Sequence, residues 1–381
     1  MPKLTFYPLG NADSTLIELA NGERILFDYA NRRNPADKED KRADLPTDLR
    51  KDLGTRDYYD VVAFTHLDQD HYDGMTQFFF LDHDTAYQGK VDGKARIKIN
   101  TMWVPAAVIT EKMEEEESKV VQAEARYRLK QKKGIRVFSS PKRLEGWIKD
   151  NDMKLDDVRD FITDAGELAP EFNLDDHGVE FFVHSPFATR QNDCELEVRN
   201  DDAIVMQATF REQSVETKLL LFADVNYDVI DDIVKQTKYH KKEVRLEWNI
   251  FKLPHHCSYT AIGPEKGEEK TKPSDNVDWL FRTQGQNDGI LVSTSKPIPK
   301  KGSDEDKDPQ PPHRQAANFY RDIEKEKSGE FVVTMEHPSV SEPKALVVEI
   351  DRYGATVKKS QIYGAAAAAS VRAPRAGGSR G

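Results

Sequence analysis

Several short apolar runs in this chain lead directly into histidine or aspartate, and this pattern restricts the folds that the chain can adopt. Short continuous apolar runs are typical of strands buried on both faces of a sheet. One polar residue after such a strand is usually an ordinary turn residue, but several strands ending this way can line one edge of a sheet. The residues that follow the four runs are Asp28, the segment 66–71, Asp224 and the pair His255-His256. The pattern therefore predicts a sheet with ionisable groups gathered along one edge.

The remaining periodicity predicts a layered fold of strands and helices. Asn21-Gly22, between two strand-like segments, is a strong hairpin signal. Many short strands with interspersed helices are typical of a layered α/β or α+β domain. Further strands are predicted at 179–184, 203–210, 218–222, 249–253, 289–293, 330–335 and 345–350, and helices at 226–238 and 313–326.

One large domain is predicted at residues 1–363, with a helical insertion at about 79–175. Within the insertion, residues 106–133 are rich in Ala, Glu, Lys and Gln, which favours a long exposed helix. The acidic run Glu114–Glu117 is interpreted as a solvated helix face, with a partner site as the alternative. Residues 364–381 are rich in Ala, Gly, Ser and Arg and predict a disordered tail or a cloning remnant.

Composition argues against several classes of protein. The chain of 381 residues has two cysteines, Cys194 and Cys257, so neither a disulfide framework nor a cysteine-based zinc site is expected. No apolar run approaches the roughly 20 residues that span a bilayer, and the N-terminus does not resemble a secretory signal. We therefore expect a cytoplasmic protein without a membrane segment. The net charge of −11 gives no long-range attraction to nucleic acid, but it is compatible with a local basic strip.

The densest group of candidate ligands follows the strand at 61–64. His66, Asp68, Asp70 and His71 lie within six residues of one another. Histidine nitrogens and carboxylate oxygens are the usual ligands of zinc, manganese and iron in catalytic sites. Four such groups at the end of a buried strand are costly to desolvate unless a cation compensates them. The alternative is an exposed polar loop with two ordinary histidines.

These residues resemble a known group of hydrolases. The segment from His66 to Gly74 resembles the HxHxDH motif of the metallo-β-lactamase superfamily, and more narrowly the HxDxDHxxG form of the soluble hydrolase domain of ComEC-type proteins. That domain also has a GQGD-like turn and a VPHHGS segment, which Gly10–Ser14 and Leu253–Ser258 resemble. Its late His-Pro loop has a looser counterpart at Pro312-His313. The resemblance implies an α+β fold, a four-layer αββα metallo-β-lactamase-like sandwich.

Two features depart from the pattern of that family. Cys257 stands where the family prefers glycine. The third histidine motif of the superfamily is not evident, and the candidates for its place are Asn200 and His184, of which His184 is interpreted as more often structural. One ligand of the first metal site therefore stays open.

The resemblance implies one or two divalent metal ions per chain, zinc or manganese. Asp68 in place of a histidine makes the first site harder and shifts its preference toward manganese or magnesium. Asp28 is expected to orient a ligand histidine through the ring nitrogen that does not bind metal. The implied ligands are His66 and Asp68 for one metal, Asp70, His71 and His256 for the other, and Asp224 as the bridge.

The predicted function is phosphodiester hydrolysis of nucleic acid or nucleotides by metal-activated water. Asp70, His255 and His313 are the predicted catalytic residues, with either histidine contacting a phosphate oxygen or protonating the leaving group. Two alternatives remain: hydrolysis of a non-phosphate ester, lactone or thioester, and a catalytically weak binding or regulatory module stabilised by metal. The membrane channel of ComEC-type proteins has no counterpart here, so DNA uptake is not implied.

Overall fold

The computed structural model describes residues 1–188 and 199–358, and the strands of these residues form two sheets. The larger sheet has nine strands in the order β15-β14-β1-β2-β3-β4-β5-β6-β7, and the smaller sheet has six in the order β13-β12-β11-β10-β9-β8. The larger sheet contains β1 (Lys3–Phe6), β2 (Thr15–Glu18), β3 (Arg24–Phe27), β4 (Tyr58–Ala63), β5 (Lys98–Pro105), β6 (Ile135–Phe138), β7 (Ile162–Thr163), β14 (Leu346–Asp351) and β15 (Gly354–Val357). The smaller sheet contains β8 (Val179–Ser185), β9 (Val205–Glu212), β10 (Val215–Phe222), β11 (Trp248–Lys252), β12 (Gly285–Ser293) and β13 (Glu330–Val333).

The two sheets pack face to face between outer layers of helices. A core of buried side chains from both sheets, including Phe6, Trp103 and Phe181, fills the space between them. A second core lies between the larger sheet and its helices, and a third between the smaller sheet and its helices. The helices on the larger sheet are α1 (Leu45–Leu53), α2 (Met75–Phe78), α3 (Ala106–Thr110), α4 (Glu116–Gln131), α5 (Lys142–Asp150) and α6 (Leu155–Val158), and those on the smaller sheet are α7 (Tyr227–Tyr239), α8 (Asp275–Arg282) and α9 (Arg314–Lys327). The layered α+β architecture is therefore that of a helix–sheet–sheet–helix sandwich.

Strand direction brings the ends of several strands to common edges. The predicted hairpin at Asn21-Gly22 is confirmed, because β2 and β3 pair antiparallel on either side of it. Strands β3 to β7 pair in parallel, as do β10 to β13. Parallel neighbours end at the same edge of their sheet, so the residues after β3 and β4, and those after β10, β11 and β12, lie side by side.

The segment 79–175, predicted as a helical insertion, differs from that prediction. It supplies β5, β6 and β7 to the larger sheet, and β5 pairs with β4 along most of its length. The single exposed helix predicted at 106–133 is two helices, and α4 buries Val121, Ala125 and Leu129 against the sheet layer. The many polar side chains of this segment give little apolar strand pattern in the sequence. In the folded chain, many of these side chains pair with one another.

Glu114, Glu115 and Glu116 of the acidic run are exposed, as predicted for a solvated helix face, whereas Glu117 is half-buried. The Glu117 carboxylate accepts hydrogen bonds from the backbone N–H of Gly74 at 2.8 Å and from the N–H and hydroxyl of Thr76 at 2.8 and 2.6 Å. Gly74 has φ of +81°, which glycine adopts without strain. Helix α4 thereby fixes the chain directly after the segment 66–71.

Across residues 1–188 and 199–358, every helix is too short or too polar to cross a membrane. The predicted tail at 364–381, the domain boundary at 363 and Cys194 lie outside the described residues.

The buried carboxylate of Glu124 connects α4 to the loop after α2. Its carboxylate lies 2.6 Å from Arg128 Nε and 2.8 Å from His83 Nδ1, and it accepts the backbone N–H groups of Asp82 and His83. Burial alone would raise the pKa of Glu124, but the hydrogen bond from His83 and the charge of Arg128 lower it to about 2.

We expect Glu124→Ala to lower the free energy of unfolding by about 3–5 kcal/mol, because it breaks a buried ion pair and leaves Arg128 with the more exposed Asp82 as its charge partner. The matched control is Glu116→Ala, which removes an exposed carboxylate of the same helix and is expected to change little. The depressed pKa adds a pH signature. The stabilisation by the Glu124 carboxylate is complete above the pKa of glutamate in the unfolded chain, about 4.3, and is lost as pH falls toward about 2. Glu124→Gln should therefore reduce the change in the free energy of unfolding over this pH range. Urea unfolding across this pH range checks both, and equal losses in the two alanine variants would contradict the assignment.

Candidate metal centre

The polar residues predicted to meet at a sheet edge come together between the two sheets. Asp28 follows β3 and the segment 66–71 follows β4, whereas Asp224 follows β10 and His256 follows β11. His256 Nε2 lies 3.1 Å from Asp224 Oδ2 and 3.2 Å from Asp70 Oδ2, so the two sheets meet at this point. The site is therefore assembled by the carboxyl ends of strands in both sheets.

Four buried side chains form the compact centre of this site. Asp13, His71, Asp224 and His256 each offer one ligand atom, and these atoms lie within 4.8 Å of one another. His71 Nε2 is 3.5 Å from Asp224 Oδ2. We call these four residues the metal cluster.

The chemistry of the cluster suits a divalent cation. His66 Nε2, His71 Nε2 and Asp224 Oδ1 are buried and have no hydrogen-bond partner within the part of the chain that the structure describes. An unpaired buried polar atom costs free energy unless another partner compensates it. Two imidazole nitrogens and a carboxylate oxygen without partners are the donor types that zinc and manganese bind. The residues present therefore fit a metal ion.

Hydrogen bonds on the far side of each ring orient the histidines. His71 Nδ1 lies 2.8 Å from Asp28 Oδ2, and Asp28 in turn accepts the backbone N–H and the hydroxyl of Thr65, each at 2.7 Å. His256 Nδ1 lies 2.7 Å from the carbonyl oxygen of Thr294. Both Nε2 atoms are thereby directed into the cluster, which is the arrangement of metal-binding histidines held by outer partners. Asp28 makes the contact that an orienting residue requires.

The electrostatics of the cluster favour positive charge. Burial lowers the pKa of His71, but the carboxylates of Asp28 and Asp224 raise it well above its ordinary value. In the same way, Asp224 outweighs burial and raises the pKa of His256 to about 10. Burial raises the pKa of Asp224, yet His256 and His71 hold it well below its usual range. A bound cation supplies the charge that protons on the two histidines otherwise supply.

The other members of the segment 66–71 surround the cluster. The His66 ring lies 3.9 Å from the His71 ring, centre to centre, and burial lowers the pKa of His66 to about 3. Its Nε2 atom is 3.7 Å from Asp68 Oδ2, and Asp68 is more exposed than the others, at 39%. Asp70 and its contact to His256 face the cluster. His66 and Asp68 thus form a more open side of the site.

Lys252 and Asp13 are members of the site that sequence reasoning did not assign to it. The Lys252 ammonium group is buried, pairs with Asp13 and donates to the carbonyl oxygen of Phe222 at 3.0 Å. Asp13 Oδ1 is buried without a hydrogen-bond partner among the described residues. The available signals were the turn Gly10–Ser14 and a lone lysine at the end of the largely apolar strand β11.

The turn that carries His256 has an unusual backbone. His255, His256 and Cys257 have φ values of +49°, +49° and +65°. Non-glycine residues rarely adopt this region, and each costs of order 1–3 kcal/mol. The left-handed conformation at Cys257 gives a reason for a glycine preference at this position. The turn is held by hydrogen bonds from the N–H of Ser258 to the His255 carbonyl at 2.8 Å and from the N–H of His313 to the Cys257 carbonyl at 3.0 Å.

The two histidines predicted as catalytic differ in their surroundings. His313 accepts the backbone N–H of Tyr259 at Nδ1 and donates from Nε2 to the carbonyl oxygen of Pro309, both at 3.2 Å. Both of its ring nitrogens are thus used to hold the turn, and a proton donor needs one of them for substrate. His255 lies beside the cluster, partly exposed, with Nδ1 3.4 Å from Thr260 Oγ1.

Of the two candidates for the open ligand position, His184 is not brought to the cluster. His184 donates from Nε2 to the carbonyl oxygen of Arg245 at 2.8 Å and lines a separate cavity with Phe182 and Lys242. That cavity is also lined by Gln236 and Thr237 of α7, on the outer face of the smaller sheet, so His184 faces away from the cluster. Asn200 belongs to a short turn of helix, and its side chain lies outside the described residues.

No protein-family model matches this chain, and no curated protein matches it either. Among solved structures, the chain is similar to one described as a new diphosphatase from the PhnP family. The two are 11% identical, the TM-score is 0.33, and the match covers 92% of this chain and 98% of the other. A similarity at this level says nothing about the chemistry of the site, which depends on the residues of this chain.

We expect His71→Ala to reduce bound metal, because it removes one of the unpartnered nitrogens of the cluster. The matched control is His184→Ala, which removes a buried histidine of the smaller sheet that faces away from the cluster. Metal content after reconstitution with zinc or manganese, measured by plasma mass spectrometry, separates the two variants. Equal metal content in both, or none in the unmodified protein, would contradict a metal centre here.

Proposed function

We propose that the protein is a metal-dependent hydrolase of the metallo-β-lactamase fold that cleaves phosphodiester bonds in nucleic acid or nucleotides. The observation that carries the proposal is the buried metal cluster, in which the unpartnered His71 Nε2 and Asp224 Oδ1 lie beside His256 at the edge shared by two sheets. A helix–sheet–sheet–helix sandwich with its site at this edge supports the resemblance to that fold. The ComEC-like form of the segment 66–74 supports phosphodiester chemistry.

The proposed ligands divide the site into two halves. His71, His256 and Asp70 hold one divalent metal, zinc or manganese, Asp224 lies between the halves, and His66 and Asp68 hold a second. A bound metal of this kind lowers the pKa of a coordinated water and stabilises charge on the oxygens of the reacting group. Asp28 and the Thr294 carbonyl keep the two histidine rings in place during this chemistry.

His255 is the proposed contact to substrate. Burial lowers its pKa, so the ring is neutral and donates a hydrogen bond from one nitrogen without a net charge. Its position next to His256, with 6.4 Å between the ring centres, supports this role. His313 supports this turn from behind, through its backbone and its ring.

Asp70→Ala is expected to abolish hydrolysis of bis(p-nitrophenyl) phosphate and of single-stranded DNA in the presence of manganese, because it removes a carboxylate of the site.

Asp28→Asn is expected to reduce kcat/KM about 10- to 100-fold, since it acts through the orientation of His71. The matched control is Asp57→Ala, an exposed aspartate before the opposite end of β4, with activity unchanged. If the metal-loaded protein cleaves neither substrate but hydrolyses a lactone or thioester, the first alternative replaces the proposal. If the protein binds metal but hydrolyses no phosphodiester, lactone or thioester, the proposal is replaced by the alternative of a binding or regulatory module.

We expect His255→Gln and His313→Ala to act on different quantities. His255→Gln lowers kcat because it removes a group beside the reacting bond. His313→Ala lowers the free energy of unfolding by about 1–3 kcal/mol, because the Tyr259 N–H and the Pro309 carbonyl lose their partner. Steady-state kinetics and thermal unfolding of both variants check this. A large loss of kcat in His313→Ala with unchanged stability would restore its predicted catalytic role.

A further inference from the structure

A cavity of about 440 Å³ is lined by residues of chain segments that also hold the metal cluster. Asn11 belongs to the turn that carries Asp13. Lys296 follows Thr294, whose carbonyl oxygen receives the hydrogen bond of His256. We call this space the basic cavity, lined by Gly10, Asn11, Arg32, Lys41, Arg42 and Lys296.

Arg32 ties a third wall of the basic cavity to the site. It lies on the segment that follows Asp28, and its Nε atom is 3.6 Å from the carboxylate of Asp73. The side chains of Arg32 and Asp73 are both about one-third exposed, so Asp73 balances the charge of Arg32 only in part. The segments that position His71 on both sides thus reach the basic cavity.

The floor of the basic cavity is fixed by backbone contacts. The Asn11 side chain accepts the N–H of Lys296 at 3.1 Å and donates to the carbonyl oxygen of Pro311. Gly10 has φ of +76°, and the position of an absent Cβ there lies 3.6 Å from Arg42 Cδ and 3.8 Å from Lys296 Cγ. The aliphatic stems of these two cations therefore pack over the same glycine.

Positive charge prevails in the basic cavity, although the chain as a whole carries −11. Four cationic and two acidic side chains line it. Arg42 is bound by Asp40 at 2.6 Å, and Lys41 lies 3.9 Å from Glu39 with both side chains exposed. The exposed Lys296 forms no ion pair with any described residue. A local positive potential beside a metal site attracts a second anionic group of a substrate.

We propose that the basic cavity binds a phosphate group of the substrate other than the one cleaved at the metal cluster. The proposal rests on the proposed function. Arginine and lysine are the usual phosphate contacts. The second phosphate belongs either to the next phosphodiester of a nucleic-acid strand or to the terminal phosphate of a nucleotide.

The kinetic test compares Lys296→Glu with Lys300→Glu, an exposed lysine of the same segment that does not line the basic cavity. The substrates are bis(p-nitrophenyl) phosphate, which has one phosphate, a thymidine oligonucleotide without terminal phosphates, and the 5′-p-nitrophenyl ester of thymidine 3′,5′-bisphosphate. Lys296→Glu should raise KM about 10-fold for at least one of the last two, because a charge-assisted contact is lost, and leave the first unchanged. An effect on the oligonucleotide identifies an internal phosphate, and an effect on the bisphosphate ester identifies a terminal one.

A binding test separates this proposal from the proposed function. Fluorescence anisotropy of a labelled oligonucleotide is measured in the manganese-loaded Asp70→Ala protein, with and without each lysine substitution, over a range of salt concentrations. Lys296→Glu should weaken binding and reduce the salt dependence, whereas Lys300→Glu should not. Weakened binding by Lys296→Glu in a protein that cleaves no phosphodiester would defeat the proposed function and retain the basic cavity. If the two variants behave equally in every assay and cleavage is intact, phosphate binding by the basic cavity is overturned and the proposed function stands.

Discussion

Several ionisable side chains are buried at the edge shared by two sheets, and compensation of their charge is the constraint on which the site depends. Asp224 and Asp13 lie within a few ångströms of His71 and His256 in a region with little solvent. One part of the charge is balanced within the protein, because Lys252 pairs with Asp13. The atoms that remain without partners face one another, so a divalent cation completes the balance more effectively than scattered hydrogen bonds.

Residues distant in sequence hold this arrangement in place. Glu117 of α4 fixes the backbone at Gly74, just after the segment 66–71, and Asp28 fixes both Thr65 and the His71 ring. On the other sheet, the N–H of His313 holds the left-handed turn at Cys257. A site placed on strand ends but tied by such contacts keeps its side chains in position without a metal, which limits the cost of ordering when one binds.

The sequence predicts the strand ends well because two local signals coincide there. Apolar runs define the strands, and the following Asp28, Asp224 and His256 mark the edge at which parallel strands end. Lys252 is not predictable in this way, since a lysine in a strand normally indicates an exposed face and its partner Asp13 is far away along the chain. The segment Trp103–Pro105 resembles the end of a strand and is the end of β5, whereas β6 and β7 are not predicted, because polar side chains such as Arg136 find partners only after the tertiary structure has formed.

The two halves of the site differ in how firmly their ligand atoms are held. His71 and His256 are buried, and both are fixed through Nδ1 by Asp28 and by the Thr294 carbonyl. Asp68, in contrast, is 39% exposed and lies 3.7 Å from His66 Nε2, beyond hydrogen-bond distance. A ligand fixed beforehand loses less conformational entropy when it binds a metal. His71 and His256 are therefore held in position before a metal binds, whereas Asp68 lies on the side of the site that is more open to solvent.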